Sequence, residues 1–286
     1  MVEKPGILYM CATPIGNLED MTYRAVRVLG EVAVIAAEDT RHTRKLLSHF
    51  EIHTRLISYH EHNKMERGPE IIERLLEGQD VAVVSDAGLP GISDPGSDLV
   101  VLAILAGITV VPLPGANAAL SALVASGLDT TLFTFIGFLP INKKKRRELI
   151  ASLVVSPYTM VFYESPHHIK ATLKELSAAL GERPAVVARE LTKKFEEFVR
   201  GTLESVGNHF AKCDPRGEFT LIVGGQPDCQ KTELSTELQL PLADAVMALV
   251  ETGITKKDAI KVIAQERGIP KREVYQAVLE EGLTTA

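Results

Sequence analysis

Short apolar runs alternate along much of the chain with longer segments whose apolar residues recur at helical spacing. The runs are ILYM (7–10), VAVI (32–35), VAVV (81–84), TVVP (109–112) and MVFY (160–163). They contain the β-branched and aromatic residues that favour strands, and a helix-like segment follows each of them. The pattern predicts an α/β fold with largely parallel strands.

The loops that follow these predicted strands are rich in Gly, Pro and acidic residues. After VAVV, the loop SDAGLPGISDPG (85–96) is twelve residues long and contains three Gly, two Pro and two Asp. An ordinary connection needs only about two to six residues. In parallel sheets, ligands bind beyond the carboxyl ends of the strands, and Gly lets the backbone approach a ligand closely. We therefore expect these loops to form a ligand site.

Changes in composition predict three domains. The two prolines of PLPG (112–115) favour an extended connector, and a polar, turn-rich segment follows the strand-like FTLIVGG (219–225). The predicted domains are an N-terminal α/β domain at 1–114, a second α/β domain at 115–228 and a small helical domain at 241–286.

Several helix ends can be predicted from capping residues. Predicted starts are Ser165 as N-cap with Pro166 as the first helical residue, Thr255 as N-cap, and Pro270. Predicted stops are Gly181 and Gly268.

Composition narrows the class of protein. A chain of 286 residues with 45% hydrophobic content can bury a large core. The longest apolar run, 99–113, is interrupted by Gly107 and is shorter than the roughly 20 residues of a spanning helix, so no membrane association is expected.

The N-terminus lacks a signal-peptide pattern, and Cys11, Cys213 and Cys229 are too widely spaced for a disulfide framework or a zinc site. A cytoplasmic protein is predicted. Its net charge of −6 means that any nucleic-acid partner must meet a local basic patch.

Common nucleotide and hydrolase motifs are missing from the sequence. It contains no G-x-G-x-x-G, no P-loop, no G-x-S-x-G and no H-E-x-x-H. The sequence therefore gives no direct support for a dinucleotide-binding enzyme, a P-loop NTPase, a serine hydrolase with a nucleophile elbow or a zinc metalloprotease.

Eight motifs carry a resemblance to a known family. In chain order they are TPIGNLEDMTYRAV, AAEDTRHTRKLL, SYHEHN, VSDAGLPGISDPG, PLPGANAALSALVASGL, GFLP, FYESPHH and ARELTK. Over residues 7 to about 225 the chain resembles the ribosomal RNA small subunit methyltransferase I family, within the tetrapyrrole methylase superfamily. The resemblance implies a two-domain α/β fold with the cofactor in the cleft between the domains, and a homodimer. It also implies S-adenosylmethionine-dependent methylation of the ribose 2′-hydroxyl of a cytidine in the decoding region of 16S rRNA, with the rRNA or the small ribosomal subunit as partner.

The resemblance also implies a set of cofactor-binding residues. They are Pro14, Asp86, Ala87, Gly88, Gly91, Asn117, Ala118, Glu164 and Leu191. The superfamily usually has G-D-P where this chain has D-A-G-L-P, so the register of this loop stays open by a residue or two. We expect that Val in place of Gly88 or Gly91 abolishes cofactor binding and leaves the fold intact.

Methyl transfer to a sugar hydroxyl favours a nearby proton acceptor, because the hydroxyl is a poor nucleophile while it keeps its proton. Glu38, Asp39 and Glu164 are the first catalytic candidates, although Asp39 could instead cap the following helix. Further candidates in the motif loops are Arg41, His42, His60, Glu61, His62 and Glu190, whereas His167 and His168 are expected to face solvent. No metal is expected, since no cluster has zinc spacing and a sulfonium leaves as a neutral thioether without help from a Lewis acid.

Two segments are candidates for RNA binding. The strongest cluster, NKKKRRELI (142–150), contains Lys143, Lys144, Lys145, Arg146 and Arg147, which could instead form a solvated helix face. Arg41 and His42 are further predicted RNA contacts, as are Lys193 and Lys194. The C-terminal helices resemble a helix-turn-helix with PKREVYQAVLEE (270–281) as recognition helix, or they form a small packing or dimer-supporting domain.

Two other functions remain open at this point. One is a methyltransferase for a small tetrapyrrole precursor, which would share the fold and the cofactor site. The other is a nonenzymatic nucleic-acid-binding regulator that uses the C-terminal helices. The motifs EDTRHTRK and HEHN, the basic run and the added helices favour the RNA enzyme over the tetrapyrrole enzyme, and the ligand-type loops argue against the regulator.

Overall fold

The computed structural model describes residues 4–226 and 241–284. The chain divides into two compact units, residues 1–226 and 227–286. The first unit contains two five-stranded sheets, and the predicted domain boundary at residue 114 falls between them. Cys229 lies outside the described residues. No described helix is both long enough and apolar enough to cross a membrane.

The first sheet is parallel and has helices on both faces. Its strands are β1 (Ile7–Cys11), β2 (Val34–Ala37), β3 (Arg55–Ser58), β4 (Val81–Val84) and β5 (Thr109–Leu113), in the order β3-β2-β4-β1-β5. A 3-10 helix, Leu18–Asp20, precedes α1 (Tyr23–Glu31), which is followed by α2 (Thr40–His49), α3 (Lys64–Leu76) and α4 (Ser97–Leu105). Successive β1 residues alternate between two cores: Leu8 and Met10 pack on one face and Cys11 on the other.

The second sheet is mixed. Its strands are β6 (Phe133–Phe138), β7 (Thr159–Glu164), β8 (Pro184–Arg189), β9 (Glu197–Thr202) and β10 (Phe219–Val223), in the order β6-β7-β10-β8-β9. Its helices are α5 (Ala118–Ser126), α6 (Lys143–Leu153), α7 (Ile169–Leu180) and α8 (Leu203–Ala211).

The prediction of largely parallel strands is correct for the first sheet and wrong for the second. In the second sheet β6 and β7 pair in parallel, but β10 inserts between β7 and β8 and is antiparallel to both, as is β9 to β8. All five residues of β10 are buried. A strand that is covered on both faces shows no polar alternation, so its sequence does not reveal the direction of its neighbours.

The predicted start of α7 at Ser165 and Pro166 is also wrong. Residues 165–168 form a turn, and the helix begins at Ile169 with His168 as N-cap. The Ile169 amide donates to the Ser165 carbonyl, while the Ser165 amide donates to the Glu164 carboxylate. This turn keeps Ser165 and Pro166 beside the end of β7. The predicted stop is correct, since Gly181 ends the helix with φ 73°.

The second unit is a cluster of three described helices. They are α9 (Leu242–Glu251), α10 (Lys256–Glu266) and α11 (Lys271–Thr284), and they share a core that includes Val246, Ile263 and Val274. Thr255 caps α10, because its hydroxyl accepts the Asp258 amide, and Gly268 lies in the left-handed region with φ 63°. Both features agree with the predicted helix ends.

Candidate active site

A cavity of about 440 Å³ lies where loops at the carboxyl ends of the first sheet meet the second sheet. Its size is within the range of small-molecule sites. One wall comes from the loops after β1, β2, β4 and β5, and the other from β7, β8 and the residues that lead into β10. The ligand site predicted beyond the strand ends therefore has a counterpart in the structure.

Most of the predicted cofactor residues line this cavity. They are Asp86, Ala87, Gly88, Asn117, Ala118, Glu164 and Leu191, and the predicted catalytic residue Glu38 is beside them. Pro14 and Gly91 are not on the wall, although Ile15, next to Pro14, is.

Two of the loops are joined by a pair of backbone hydrogen bonds. The Thr13 amide donates to the Gly88 carbonyl at 2.8 Å, and the Gly88 amide donates to the Thr13 carbonyl at 3.0 Å. The Thr13 hydroxyl also donates to the Ser85 carbonyl at 3.2 Å. The loops after β1 and β4 therefore form one connected wall.

The backbone conformation at Gly88 is one that favours glycine. It has φ +86°, and a Cβ there would lie 3.4 Å from Cγ2 of Ile15. Gly91 has φ +85°. A β-branched side chain is strained in this left-handed region whatever space surrounds it. Val at either position is therefore expected to strain the loop as well as to obstruct a ligand, and its effect on the fold stays a prediction.

Acidic side chains concentrate on the first-sheet wall. The Asp39 amide donates to Asp86 Oδ1 at 3.0 Å, and the Asp86 amide donates to Glu38 Oε2 at 3.4 Å, so the loops after β2 and β4 hold each other. Burial raises the pKa of Glu38. Burial, together with repulsion from Glu38, raises the pKa of Asp94 to about 6.

Asp94 is a cavity residue that the sequence interpretation missed. It belongs to the same loop as Asp86 and lines the cavity with it. Of the described residues that line this cavity, none is Lys, Arg or His. The wall itself therefore carries negative charge, and the nearest basic groups that act on it, Arg41 on Asp86 and His60 on Glu38, lie outside the lining. Such a wall favours a ligand that is itself positively charged.

Glu164 and the residues beside it support the opposite wall. Glu164 is buried, and its two oxygens accept the Ser165 amide at 2.8 Å and the Thr172 hydroxyl at 2.5 Å. Tyr163, also missed from sequence, accepts the Ala119 amide through its hydroxyl at 3.2 Å. The buried Ser165 hydroxyl has no hydrogen-bond partner within the described part of the chain. Ser165 lines the cavity, but this oxygen atom is itself buried.

Asp39 has a local structural role. Its carboxylate accepts the Arg41 amide at 2.8 Å and caps α2, and it pairs with the Arg41 guanidinium at 2.8 Å. These hydrogen bonds hold the pKa of Asp39 far below its usual range, which makes it a weak proton acceptor. Arg41 and His42 are both exposed on α2.

The other candidate residues lie outside the cavity wall. His60 is close enough to Glu38 to lower its pKa, and Glu61 pairs with Lys64 at 2.8 Å. Glu190 accepts Lys193 Nζ at 2.9 Å. Three histidines, His62, His167 and His168, are exposed.

The basic run forms the first turns of α6 after the N-cap Asn142. Four of its cations are exposed: Lys143, Lys144, Lys145 and Arg147. Arg146 instead turns inward with its side chain 16% exposed, and donates to Glu175 at 2.6 Å and to the Thr172 hydroxyl at 2.7 Å. Arg146 therefore fastens α6 to α7. Lys193 is likewise engaged, with Glu190 and with Glu218 at 2.5 Å, whereas Lys194 is exposed.

Comparison with known proteins agrees with this arrangement. The family model of Tetrapyrrole (Corrin/Porphyrin) Methylases matches residues 8–207. The chain is 51% identical over 276 residues to "Ribosomal RNA small subunit methyltransferase I" of Halalkalibacterium halodurans, covering 96% of both chains. It is 48% identical to the protein of the same name from Synechocystis sp., covering 96% of this chain and 98% of the relative.

Solved structures show the same fold. Uroporphyrin-III C-methyl transferase from Thermus thermophilus, complexed with S-adenyl homocysteine, superposes with a TM-score of 0.55 at 20% identity, over 77% of this chain and 97% of that one. The chain therefore belongs to the tetrapyrrole (corrin/porphyrin) methylase family and, within it, to the ribosomal RNA small subunit methyltransferase I family.

Proposed function

We propose that this protein is an S-adenosylmethionine-dependent methyltransferase that methylates the ribose 2′-hydroxyl of a cytidine in the decoding region of 16S rRNA. The observation that carries the choice of an RNA substrate is the extent of the match. The rRNA methyltransferase relatives cover 96% of this chain, whereas the tetrapyrrole enzyme covers 77%. The match to the RNA enzymes therefore extends beyond the shared fold into the C-terminal helical unit.

The chemistry of the cavity supports this cofactor. S-adenosylmethionine carries a sulfonium, an ammonium group and one carboxylate, so its net charge is positive, and the described wall offers Glu38, Asp86 and Asp94 to its cationic groups. Apolar surface from Ile15 and Leu191 suits the uncharged parts of the molecule. When bound, the cofactor supplies an activated methyl group.

Asp94 and Glu38 are the best placed proton acceptors. Above a pH of about 6 Asp94 is ionised, so its carboxylate can accept the proton of a hydroxyl group. Glu38 faces the same cavity and affects the acidity of Asp94. Glu164 retains a positioning role in this proposal, since both of its oxygens are occupied by Ser165 and Thr172.

The test is methylation with the purified protein and cofactor labelled in the methyl group. The acceptors are naked 16S rRNA, small ribosomal subunits from cells that lack this gene, and a tetrapyrrole precursor. We expect label in RNA that digests to 2′-O-methylcytidine and maps to the decoding region. Label in the tetrapyrrole alone, or on an RNA base, would refute the proposal.

We further propose that the protein is a homodimer. One face of α4 exposes large apolar side chains, since Val101, Ile104 and Leu105 are three and four residues apart and are 55%, 62% and 79% exposed. Such exposure is typical of an association surface. Sedimentation velocity should show a dimer that Ile104→Lys with Leu105→Lys converts to a folded monomer. A monomeric wild-type protein at micromolar concentration would contradict this.

A further inference from the structure

The helical unit contains a second concavity, of about 740 Å³, beside the first turns of α10 and α11. Its basic side chains come from both helices, and an exposed aromatic ring lies with them. They are Lys256, Lys257, Lys261, Lys271, Arg272 and Tyr275. Lys271, Arg272 and Tyr275 belong to the segment that the sequence suggested as a recognition helix, whereas Lys256, Lys257 and Lys261 come from the helix before it.

Charge is distributed unevenly in this unit. Acidic and basic residues between 241 and 284 nearly balance, yet five cations line this one surface, together with the carboxylate of Asp258. That carboxylate accepts the Thr255 hydroxyl at 2.6 Å and belongs to the cap of α10. None of the five cations forms an ion pair with a described carboxylate. The concavity therefore keeps its positive charge available to a partner.

Two helix N-termini and an aromatic ring also contribute to the binding properties of this surface. Both α10 and α11 begin at the concavity, so their N-terminal amides contribute further positive potential. Tyr275 is 54% exposed. A solvent-facing aromatic ring among cations combines phosphate attraction with a platform on which a nucleotide base can stack.

We propose that this concavity binds the sugar-phosphate backbone of rRNA as a second contact with the substrate, apart from the methylation cavity. The proposal rests on the proposed function, since it concerns the same RNA. An acidic protein surface would satisfy the charges but would not use stacking on Tyr275. The cations contact phosphates without reading sequence, and their contribution to binding falls with rising salt.

The test compares two full-length variants with the same change in net charge. The first replaces Lys257, Lys261 and Arg272 with Gln. The control replaces Lys170, Lys174 and Lys212, which are exposed in the first unit. Naked 16S rRNA is titrated at several salt concentrations, and far-UV circular dichroism with thermal melting verifies that both variants are folded.

We expect the first variant to reduce the slope of log affinity against log salt by about 2, as for three lost phosphate contacts. Cofactor affinity should stay at the wild-type value, and KM for RNA should rise with little change in kcat. Tyr275→Leu, which retains a large apolar side chain, should weaken RNA binding without changing the salt slope. The control should retain the wild-type slope.

Three results would overturn the inference. The first is an unchanged salt slope in the first variant, and the second is an equal loss of RNA affinity in the control variant. The third is a first variant that binds naked RNA normally but no longer binds assembled subunits, which would indicate a ribosomal protein as the partner. Failure of the proposed function is separate, because it would appear as a wild-type protein that binds RNA but transfers no methyl group to it.

Discussion

Replacing Asp94 with Asn should make the protein more stable above pH 6 and weaken its binding of the cofactor. Asn keeps the size and an acceptor oxygen of the side chain but removes the charge that burial and Glu38 oppose. The cationic ligand loses an attractive carboxylate at the same time. Opposite effects on stability and binding are expected of a residue that is retained for function rather than for folding.

The size of the stability effect follows from the pKa of Asp94, which rises from 3.8 to about 6 on folding. At about 1.4 kcal/mol per pKa unit, this difference corresponds to at most about 3 kcal/mol. Water in the open cavity screens a partly exposed carboxylate, so about 1–2 kcal/mol is the expected gain.

The sign depends on which state holds the proton. Between pH 3.8 and about 6 the folded protein keeps the Asp94 proton while the unfolded chain releases it. Stability therefore falls as the pH rises through this window, and the cost of the buried charge is complete above pH 6. The advantage of the Asn variant should be largest above pH 6 and should vanish near pH 4.

Urea unfolding at several pH values between 4 and 8 measures this difference, and calorimetry at pH 7.5 measures cofactor affinity. Asp20→Asn, the same change at an exposed position of the short 3-10 helix, should give a stability curve parallel to that of the wild type. A variant that is less stable than the wild type at pH 8, or an advantage that does not shrink with acid, would show that the reasoning about Asp94 is wrong.

Three further substitutions test other parts of the structure. Ala118→Leu fills the cavity from the first turn of α5 and should weaken cofactor binding more than about tenfold, whereas Ala125→Leu on the exposed side of the same helix should not; calorimetry distinguishes them. Gly88→Ala should destabilise the protein by about 1–2 kcal/mol in urea unfolding because of its positive φ, while Gly30→Ala, in open space, should not destabilise it. Arg146→Ala should lower the free energy of unfolding by about 1–3 kcal/mol, because the hydrogen bonds of Arg146 to α7 are lost. Ala at the four exposed cations of α6 should preserve this free energy and reduce the salt dependence of RNA binding.

The position of the site could be predicted from sequence because it depends on a general property of parallel sheets. Asp86, Gly88, Asn117 and Ala118 all follow strands whose apolar runs are visible in the sequence. The carboxyl ends of those strands share one edge, so these residues meet in space although they are far apart in the chain. The capping residue Thr255 was predictable for a similar reason, since N-capping depends on neighbours three residues away.

Two features were missed for different reasons: the position of Asp94 depends on the folded path of a loop, whereas the direction of Arg146 follows from a helical spacing that the interpretation of the basic run did not use. Asp86 and Asp94 stand in one Gly-rich loop, and only the path of the folded loop shows that Asp94 also faces the cavity. Arg146 looks equivalent to its basic neighbours in the sequence. On the helix, however, it lies four residues before Ile150 and seven before Leu153, both of which are buried, so it turns toward α7.

The absence of Lys, Arg and His from the described cavity wall has a consequence for turnover. The carboxylates attract a molecule whose sulfur is positively charged, and this attraction weakens once the methyl group has left and the sulfur is neutral. If the cavity binds S-adenosylmethionine as we propose, the same wall holds the methyl donor more tightly than the spent thioether. By this electrostatic difference alone, the site favours exchange of product for fresh donor and limits inhibition by accumulated product.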